Sequence, residues 1–165
     1  MDCTHIPEIS CFYSDTIASH ILNPSAHFEY EMILVTDGSA QVQIHDRTYP
    51  LQRGSLLFIS RLEQHQFCIV KEPYCRYVLS VSSDLLLSHL NEPRLASIFM
   101  QRPEYFSHVV QLNEEQLAYF LPFFQKSADE YEKQPDFYTL QSIALLLSIL
   151  ISLYRLYPNA FPMAD

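Results

Sequence analysis

Residues 27–67 decide the fold that this sequence predicts, and they read HFEYEMILVTDGSAQVQIHDRTYPLQRGSLLFISRLEQHQF. Early in this stretch the apolar residues Tyr30 and Met32 alternate with charged neighbours, which is the period of two that is typical of a β-strand. The pair Asp37-Gly38 follows, and it favours a two-residue hairpin turn because both central residues of such a turn need a positive φ. We therefore predict a strand, a reversal at this pair and a second strand that returns beside the first.

Further turn signals divide the flanking sequence into short runs with strand character. Turn residues at 46–47, 52–54 and 72–73 separate candidate strands at residues 48–51, 56–59, 65–70 and 76–81. Pro50 marks the first of these as an edge strand, because proline cannot donate to a central ladder. With further candidates at residues 9–13 and 16–22, the total is about seven or eight strands, which is enough for a jelly roll.

The second half of the chain has helical patterns instead. Ser83 is a candidate N-cap for a short helix, and residues 95–100 form a second short helical piece. Asn113 begins a capping box with Gln116, and the helix that follows contains Pro122, where we expect a kink or a split. A final apolar helix is predicted from residue 137 to about residue 157. The fold class is therefore mainly β with C-terminal helices, divided into a barrel at residues 1–110 and a helical segment at residues 111–165.

The polar residues of the first stretch resemble the signatures of the cupins, a family of small jelly-roll barrels. The residues that match in type and spacing are His27, Glu31, Gly38, Gly54 and His65. Ser25 stands where the first cupin signature carries another histidine, so one metal ligand of the usual set is missing. The resemblance implies a cupin-like barrel in which His27, Glu31 and His65 face the interior.

The order of elements also resembles the N-terminal half of AraC-type transcription regulators. In that family a degenerate cupin barrel binds a small effector, two antiparallel α-helices form the dimer interface, and a DNA-binding half follows. The resemblance implies a cytoplasmic homodimer that senses a small molecule. We expect this chain to be either an excised regulatory domain or a stand-alone sensor, and we expect DNA to be bound through a C-terminal domain that this sequence does not contain.

The candidate effector-binding residues follow from strand parity and from the cupin resemblance together. Residues two apart in a strand share a face, so His27, Glu29 and Glu31 point to the same side. The resemblance adds the inward-facing residues of the pocket: Ile33, His65 and Phe67. Three interpretations stay open: a polar patch that binds a small effector, a metal site made by two imidazoles and a carboxylate, and histidines satisfied within the barrel.

Composition limits the partners and the location. The net charge is -9, so this chain on its own should repel the phosphate backbone of DNA. The N-terminus has no signal-peptide pattern, and the cysteine spacings fit no zinc motif, which favours a reduced cytoplasmic compartment. No catalytic nucleophile motif and no phosphate-binding glycine loop is present. We expect no cofactor, no bound metal and no catalytic residue.

The last helix is apolar on nearly all sides, which raises two alternatives. Its apolar centre covers only residues 143–154, whereas a membrane span needs about 20 residues. We expect a core helix with one face left for a second copy of the chain, with Leu140, Leu147, Leu150 and Tyr154 as candidate dimerisation residues. Two function classes result: an effector-sensing, dimerising module, or a small metal-dependent cupin enzyme that uses His27, Glu31 and His65.

Overall fold

The computed structural model describes residues 7–16, 24–100 and 102–163. Within these ranges the chain forms one antiparallel sheet of six strands, followed by two long helices. The strands are β1 (Ile9–Thr16), β2 (Tyr30–Ile44), β3 (Arg47–Gln52), β4 (Ser55–Ile59), β5 (His65–Val81) and β6 (Val109–Gln111). The helices are α1 (Ser83–His89), α2 (Pro93–Ala96), α3 (Glu114–Lys133) and α4 (Tyr138–Leu156), and a 3-10 turn covers Pro158–Ala160.

The chain does not reverse at Asp37-Gly38, so the predicted hairpin is wrong there. β2 runs through the pair as one strand, and its pairing with β5 shifts register on both sides of it. Gly38 does have the positive φ that the turn signal predicted, at 71°. The same dihedral serves a β-bulge, and a Cβ at this position would overlap the carbonyl oxygen of Pro73 on β5. The Asp37-Gly38 pair therefore predicts the positive φ of Gly38 correctly, but the chain reversal that we infer from it does not occur.

The bulge allows two long strands to serve both halves of the sheet. The first half of β2 pairs with β4, its second half pairs with β3, and β5 runs beside both halves. The candidate strands at 65–70 and 76–81 are thus one strand, β5, that continues through the predicted turn at Pro73. β3 pairs only with β2, which agrees with the edge position indicated by Pro50. The described residues contain six strands rather than seven or eight, and most of the 16–22 candidate lies outside them.

Alternating side chains separate two apolar cores on opposite faces of this curved sheet. The inner core joins residues from both halves of β2 and β5, which requires the sheet to curve around them: Ile33, Val35, Val42, Ile44, Ile69, Tyr74 and Val78. The outer core takes the alternate residues of the same strands and packs them against the helices: Tyr30, Met32, Leu34, Phe58, Leu79, Phe120, Phe124 and Leu146. The strand parity of β2 therefore sends Glu31 and Ile33 inward.

α3 begins where the sequence predicts, whereas α1, α2 and α4 begin within one or two residues of their predicted starts, and α2 ends at Ala96 rather than at residue 100. The side chain of Asn113 accepts a hydrogen bond from the Gln116 amide at 2.8 Å, and the Gln116 side chain accepts one from the Asn113 amide at 3.0 Å. α3 continues through Pro122 without a split. The N-cap of α1 is Ser82 rather than Ser83, because it is the Ser82 hydroxyl that accepts the Leu85 amide.

α4 completes the outer core. By length and composition it could cross a membrane, with 39% of its most apolar window buried inside the protein. One such helix is weak evidence, because the core helix of a soluble protein passes the same test. Here Leu146, Leu150 and Leu153 are fully buried in the outer core. That core contains residues on both sides of the predicted boundary at 110/111, so the barrel and the helices share it.

Candidate functional site

Three of the predicted polar residues converge at one end of the inner core. His27, Glu31 and His65 each offer a ligand atom, and these atoms lie within 4.8 Å of one another. The two imidazole rings meet edge to face, with their centroids 5.1 Å apart. His65 is buried, whereas His27 and Glu31 keep partial exposure, with side chains 22% and 15% exposed. The trio is therefore a polar patch at the mouth of an apolar interior.

Backbone carbonyls orient both imidazoles. The Nδ1 atom of His65 lies 2.9 Å from the carbonyl oxygen of Glu63, and Nδ1 of His27 lies 3.1 Å from that of Glu29. Because a carbonyl oxygen only accepts, both Nδ1 atoms carry the proton. In the neutral rings each Nε2 atom then carries a lone pair and acts as a hydrogen-bond acceptor. The arrangement thus presents two acceptors and one carboxylate to the same small space.

Within the trio, His27 Nε2 has no hydrogen-bond partner among the described residues. It is buried and lies 3.0 Å from Oε1 of Glu31, which is an ion-pair distance when the ring is protonated. The close Glu31 carboxylate raises the pKa of His27, burial opposes the increase, and Glu29 adds to it. A proton on Nε2 relieves the repulsion between the lone pair and the carboxylate. A bound cation or hydrogen-bond donor would do the same, so the site has capacity for a ligand.

The other predicted pocket residues lie around this trio. The Glu29 carboxylate is 3.9 Å from His27 Nδ1, and its side chain is 21% exposed. Ile33 lies in the inner core, and Phe67 packs against it with its ring centroid 5.7 Å from that of His65. Ser80, which the sequence did not single out, donates a hydrogen bond to Oε2 of Glu31 at 3.1 Å. Its strand neighbour across the ladder is Glu31 itself, and only the register of β5 on β2 could have revealed it.

Ser25 occupies the position of the missing cupin histidine and has a backbone role instead. Its amide donates to the carbonyl of His65 at 2.9 Å, and its carbonyl accepts from the His65 amide at 3.0 Å. This isolated bridge ties the segment before β2 to the start of β5. A cleft of about 190 Å³, lined by His65 together with Gln43 and Gln66, opens beside the bridge. Of the trio, His65 alone lines this cleft.

The ligand atoms of the trio are of the types that bind a divalent metal ion. Two imidazoles and one carboxylate are a ligand set that holds transition metals, and both rings have the backbone-bonded Nδ1 that metal-binding histidines commonly show. Ser25 argues against a permanently bound metal, because it offers a hydroxyl where the cupin signature has an imidazole ligand. The geometry fits a three-ligand site, and the described residues give no fourth protein ligand of the usual kind.

A second polar cluster lies on the other side of the loop at residues 60–64, and it was not predicted. The Glu63 carboxylate receives Nη2 of Arg102 at 2.5 Å on each oxygen, Nε2 of His108 at 3.0 Å and the Ser60 amide at 3.1 Å. Tyr49 completes the cluster with its hydroxyl 2.8 Å from Nδ1 of His108. Burial raises the pKa of Glu63, but the bonds from His108, Arg102 and Ser60 outweigh it and lower the pKa to about 2.

The candidate dimerisation residues do not share one environment. Leu140 is 55% exposed, and Leu147 and Tyr154 are half-buried on the flank of the outer core. Leu150 is fully buried inside its own chain, so its side chain is not available for contact with a second copy. It belongs to the stripe of Leu146 and Leu153, which packs in the outer core. The exposed apolar surface of α4 continues instead through Ile151, which is 38% exposed.

Structural comparison finds a solved protein whose fold matches nearly the whole chain. A variant of apo ToxT from Vibrio cholerae aligns over 97% of this chain and 60% of its own, with 11% identity and a TM-score of 0.62. At that identity the similarity shows the fold alone. A Cupin 2 conserved barrel domain protein from Salinispora arenicola aligns over 51% of this chain and 72% of its own, with 15% identity and a TM-score of 0.43. The Cnp3 cupin domain of Schizosaccharomyces pombe aligns over 50% and 61%, with 10% identity and a TM-score of 0.45.

Sequence comparison identifies the family. No curated protein sequence matches this chain. The family model described as the AraC-like ligand binding domain matches residues 7–150, which include the barrel, the polar trio and most of both long helices. This match agrees with the resemblance stated from the residues alone, and with a cupin-like sheet followed by two C-terminal helices. The chain therefore belongs to the AraC-like ligand-binding domain family.

Proposed function

We propose that this chain is the small-molecule-sensing and dimerisation half of an AraC-type transcription regulator, with the effector bound by His27, Glu31 and His65. The observation that carries the proposal is the buried Nε2 atom of His27, which has no aligned partner and faces a carboxylate. Membership of a ligand-binding domain family supports it. Buried polar atoms are normally paired, and an effector that donates a hydrogen bond or carries a positive charge would supply the partner.

The charges of the patch define the effector class. Glu29 lies near Nδ1 of His27 and Glu31 near its Nε2, and no arginine or lysine bonds to either carboxylate within the described residues. A neutral polyol, a sugar-like molecule or an amine satisfies this set, because each offers hydrogen-bond donors or a positive charge. Ile33 and Phe67 supply the apolar wall behind the polar group.

Calorimetry and thermal shift across a panel of small polyols, sugars and amines test this assignment. We expect a hit whose binding is lost in Glu31→Gln and in His65→Ala. The matched controls are Glu115→Gln and His89→Ala, which change the same residue types at exposed positions on α3 and α1. Binding that survives both site variants would place the effector elsewhere.

The dimerisation part of the proposal rests on the outer face of α4. Leu140 and Ile151 are exposed, and the half-buried Leu147 and Tyr154 follow the same helical stripe. Apolar residues at seven-residue spacing on the exposed face of a helix can pack against the same residues of a second copy across a two-fold axis. We expect a homodimer in sedimentation at micromolar concentration, converted to monomer by Leu140→Glu or Leu147→Glu and not by Lys126→Glu on α3. A monomeric wild-type chain would contradict this.

The DNA-related part is tested separately. With a net charge of -9 the chain is expected to bind DNA only through a further basic domain of the full regulator. In a gel-shift assay at low salt this chain should not retard duplex DNA. A shift that weakens with added salt would show that this domain itself carries a nucleic-acid surface. We place the regulator in the cytoplasm, where its DNA would be reached.

A metal-dependent enzyme is the second candidate, and the convergence of His27, Glu31 and His65 within 4.8 Å favours it. Elemental analysis of protein purified without added metal separates the two. We expect no stoichiometric iron, zinc or manganese, because the usual ligand set is incomplete at Ser25. Stoichiometric metal that disappears in His65→Ala would favour the enzyme.

A further inference from the structure

The inner core contains a second polar atom without a partner. The hydroxyl of Tyr74 is buried, with the residue 1% exposed, and it makes no hydrogen bond within the described residues. Burial raises the pKa of Tyr74 to about 12 against an opposing effect of Arg76, so the hydroxyl keeps its proton and remains a donor. An unpaired buried hydroxyl costs about 1–3 kcal/mol. A phenylalanine would avoid this cost, so a hydroxyl at this position indicates a partner that the described residues do not supply.

Arg76 brings a positive charge to the face of the Tyr74 ring. Its guanidinium carbon lies 4.5 Å from the centre of the Tyr74 ring. It donates to the Thr16 hydroxyl at 2.7 Å and to the Tyr74 carbonyl at 3.0 Å, which are both neutral acceptors. Across residues 7–16, 24–100 and 102–163 no carboxylate forms an ion pair with it, although the chain has 19 acidic residues. Within the described residues, an arginine without a carboxylate partner therefore lies over the ring whose hydroxyl is unpaired.

The strand register puts this pair and the His27 patch on one inward wall. Glu31 lies opposite Ser80, and Val35 lies opposite Arg76. Four residues along β2 separate Glu31 from Val35, which is about 13 Å at the usual rise per residue. On the facing wall, Phe67 spans the same gap, with its ring centroid 5.7 Å from that of His65 and 6.4 Å from that of Tyr74.

We propose that the barrel binds an elongated molecule with two polar ends, in which an amine or hydroxyl meets the His27 patch and a carboxylate meets Tyr74 and Arg76. This inference rests on the proposed function and adds the second contact point. A phenol and a guanidinium are both donors, and together they match a carboxylate. The apolar middle of the molecule lies along Ile33 and Phe67. The ligand class is an amino acid whose charged groups are separated by an aliphatic chain.

Matched six-carbon probes test this class by calorimetry: ω-aminohexanoate, the corresponding amino alcohol, the diamine and the dicarboxylate. We expect aminohexanoate to bind the wild-type chain about tenfold more tightly than the amino alcohol, as one charge-assisted contact implies. Tyr74→Phe and Arg76→Gln should each remove that advantage and leave the amino alcohol unaffected. Glu31→Gln should weaken all three amine-bearing probes.

Two controls keep the result specific. Tyr77→Phe removes a hydroxyl on the same strand but on the outer face, and Lys71→Gln removes an exposed cation of β5. Both should bind every probe like the wild type. Tyr74→Phe should also unfold at the same or a higher urea concentration than the wild type, because it removes an unsatisfied group; this separates lost binding from lost folding.

The outcomes separate this inference from the proposed function. Equal binding of aminohexanoate and the amino alcohol, or full binding in Tyr74→Phe, would overturn the second contact point and leave the His27 patch intact. Amine binding that is unchanged in both Glu31→Gln and His65→Ala would overturn the proposed function as well. No binding by any of the four probes would overturn the two-ended ligand, while the broader metabolite panel would still judge the patch.

Discussion

The loop at residues 60–64 separates two polar clusters that differ in how completely they are satisfied. On one side the Glu63 carboxylate is saturated by Arg102, His108 and Ser60. On the other side its own carbonyl orients His65 in a patch where His27 Nε2 has no aligned partner. Both clusters contain histidines and a partly buried carboxylate. The difference teaches that residue type alone does not distinguish a structural cluster from a ligand site; hydrogen-bond satisfaction does.

The largest expected effect follows from breaking the saturated cluster. Glu63→Ala would leave the buried Arg102 guanidinium, 7% exposed, without its counter-charge. Removing one partner of a buried ion pair destabilises a protein by about 3–5 kcal/mol. Urea unfolding measures the loss. Glu114→Ala, which breaks the exposed pair with Arg53, is the control and should leave the unfolding midpoint nearly unchanged. Equal effects of the two variants would contradict the contrast between buried and exposed pairs.

The pH dependence of stability should also differ between the clusters. The pKa of Glu63 is about 2 in the folded chain against an ordinary value of 4.5, so its contribution to stability is complete above pH 4.5. That contribution is lost as the pH falls from 4.5 towards 2, because the unfolded state binds the proton first. Urea unfolding across this range should show a slope that Glu63→Gln reduces. An unchanged slope in the variant would assign the acid sensitivity to other carboxylates.

The unsatisfied patch should behave with the opposite sign. The pKa of His27 is raised above its ordinary 6.5 by the adjacent Glu31, so its stabilising contribution is complete below that value and is lost as the pH rises through the folded-state pKa. Titration of the histidine ring protons by NMR should show the His27 pKa falling in Glu31→Gln. A His27 pKa that is the same in both proteins would remove Glu31 as the cause.

The smallest expected effect belongs to the hydroxyl that supports the patch. Ser80→Ala removes the hydrogen bond to Glu31 Oε2 and should cost about 1 kcal/mol of stability. The same change should weaken effector binding modestly, because Glu31 would be held less firmly. Ser88→Ala on α1, whose hydroxyl bonds only locally, is the control. Unchanged binding in Ser80→Ala would show that the carboxylate is held sufficiently by its other contacts.

Local chemistry explains what could be predicted from the sequence. The alternation along β2 predicted that Glu31 and Ile33 share a face, and the capping box at Asn113 predicted the start of α3. These signals depend on residues within a few positions of one another. Asp37-Gly38 shows their limit: hairpins and bulges both use a glycine with positive φ. Only the approach of Pro73, far along the chain, makes this site a bulge.

Distant pairing explains what could not be predicted. Glu63 meets Arg102 and His108, which are 39 and 45 residues away in the sequence, and no local pattern connects them. Ser80, Tyr74 and Arg76 become candidate site residues only through the register of β5 on β2. Leu150 looks like Leu147 in the sequence, yet the direction of α4 on the sheet buries Leu150 and leaves Leu147 half-buried. Each of these features depends on tertiary packing rather than on propensity.

The outer core limits how this domain can be cut or transplanted. Met32, Leu34 and Phe58 on the sheet are covered by Phe120, Phe124 and Leu146 of the two long helices. A barrel excised at residue 110 would turn that covered wall into an adhesive surface prone to aggregation. A biosensor built from this scaffold must therefore carry α3 and α4 with the barrel. Its reporter would then be attached beyond the last helix, where a fusion leaves the shared core intact.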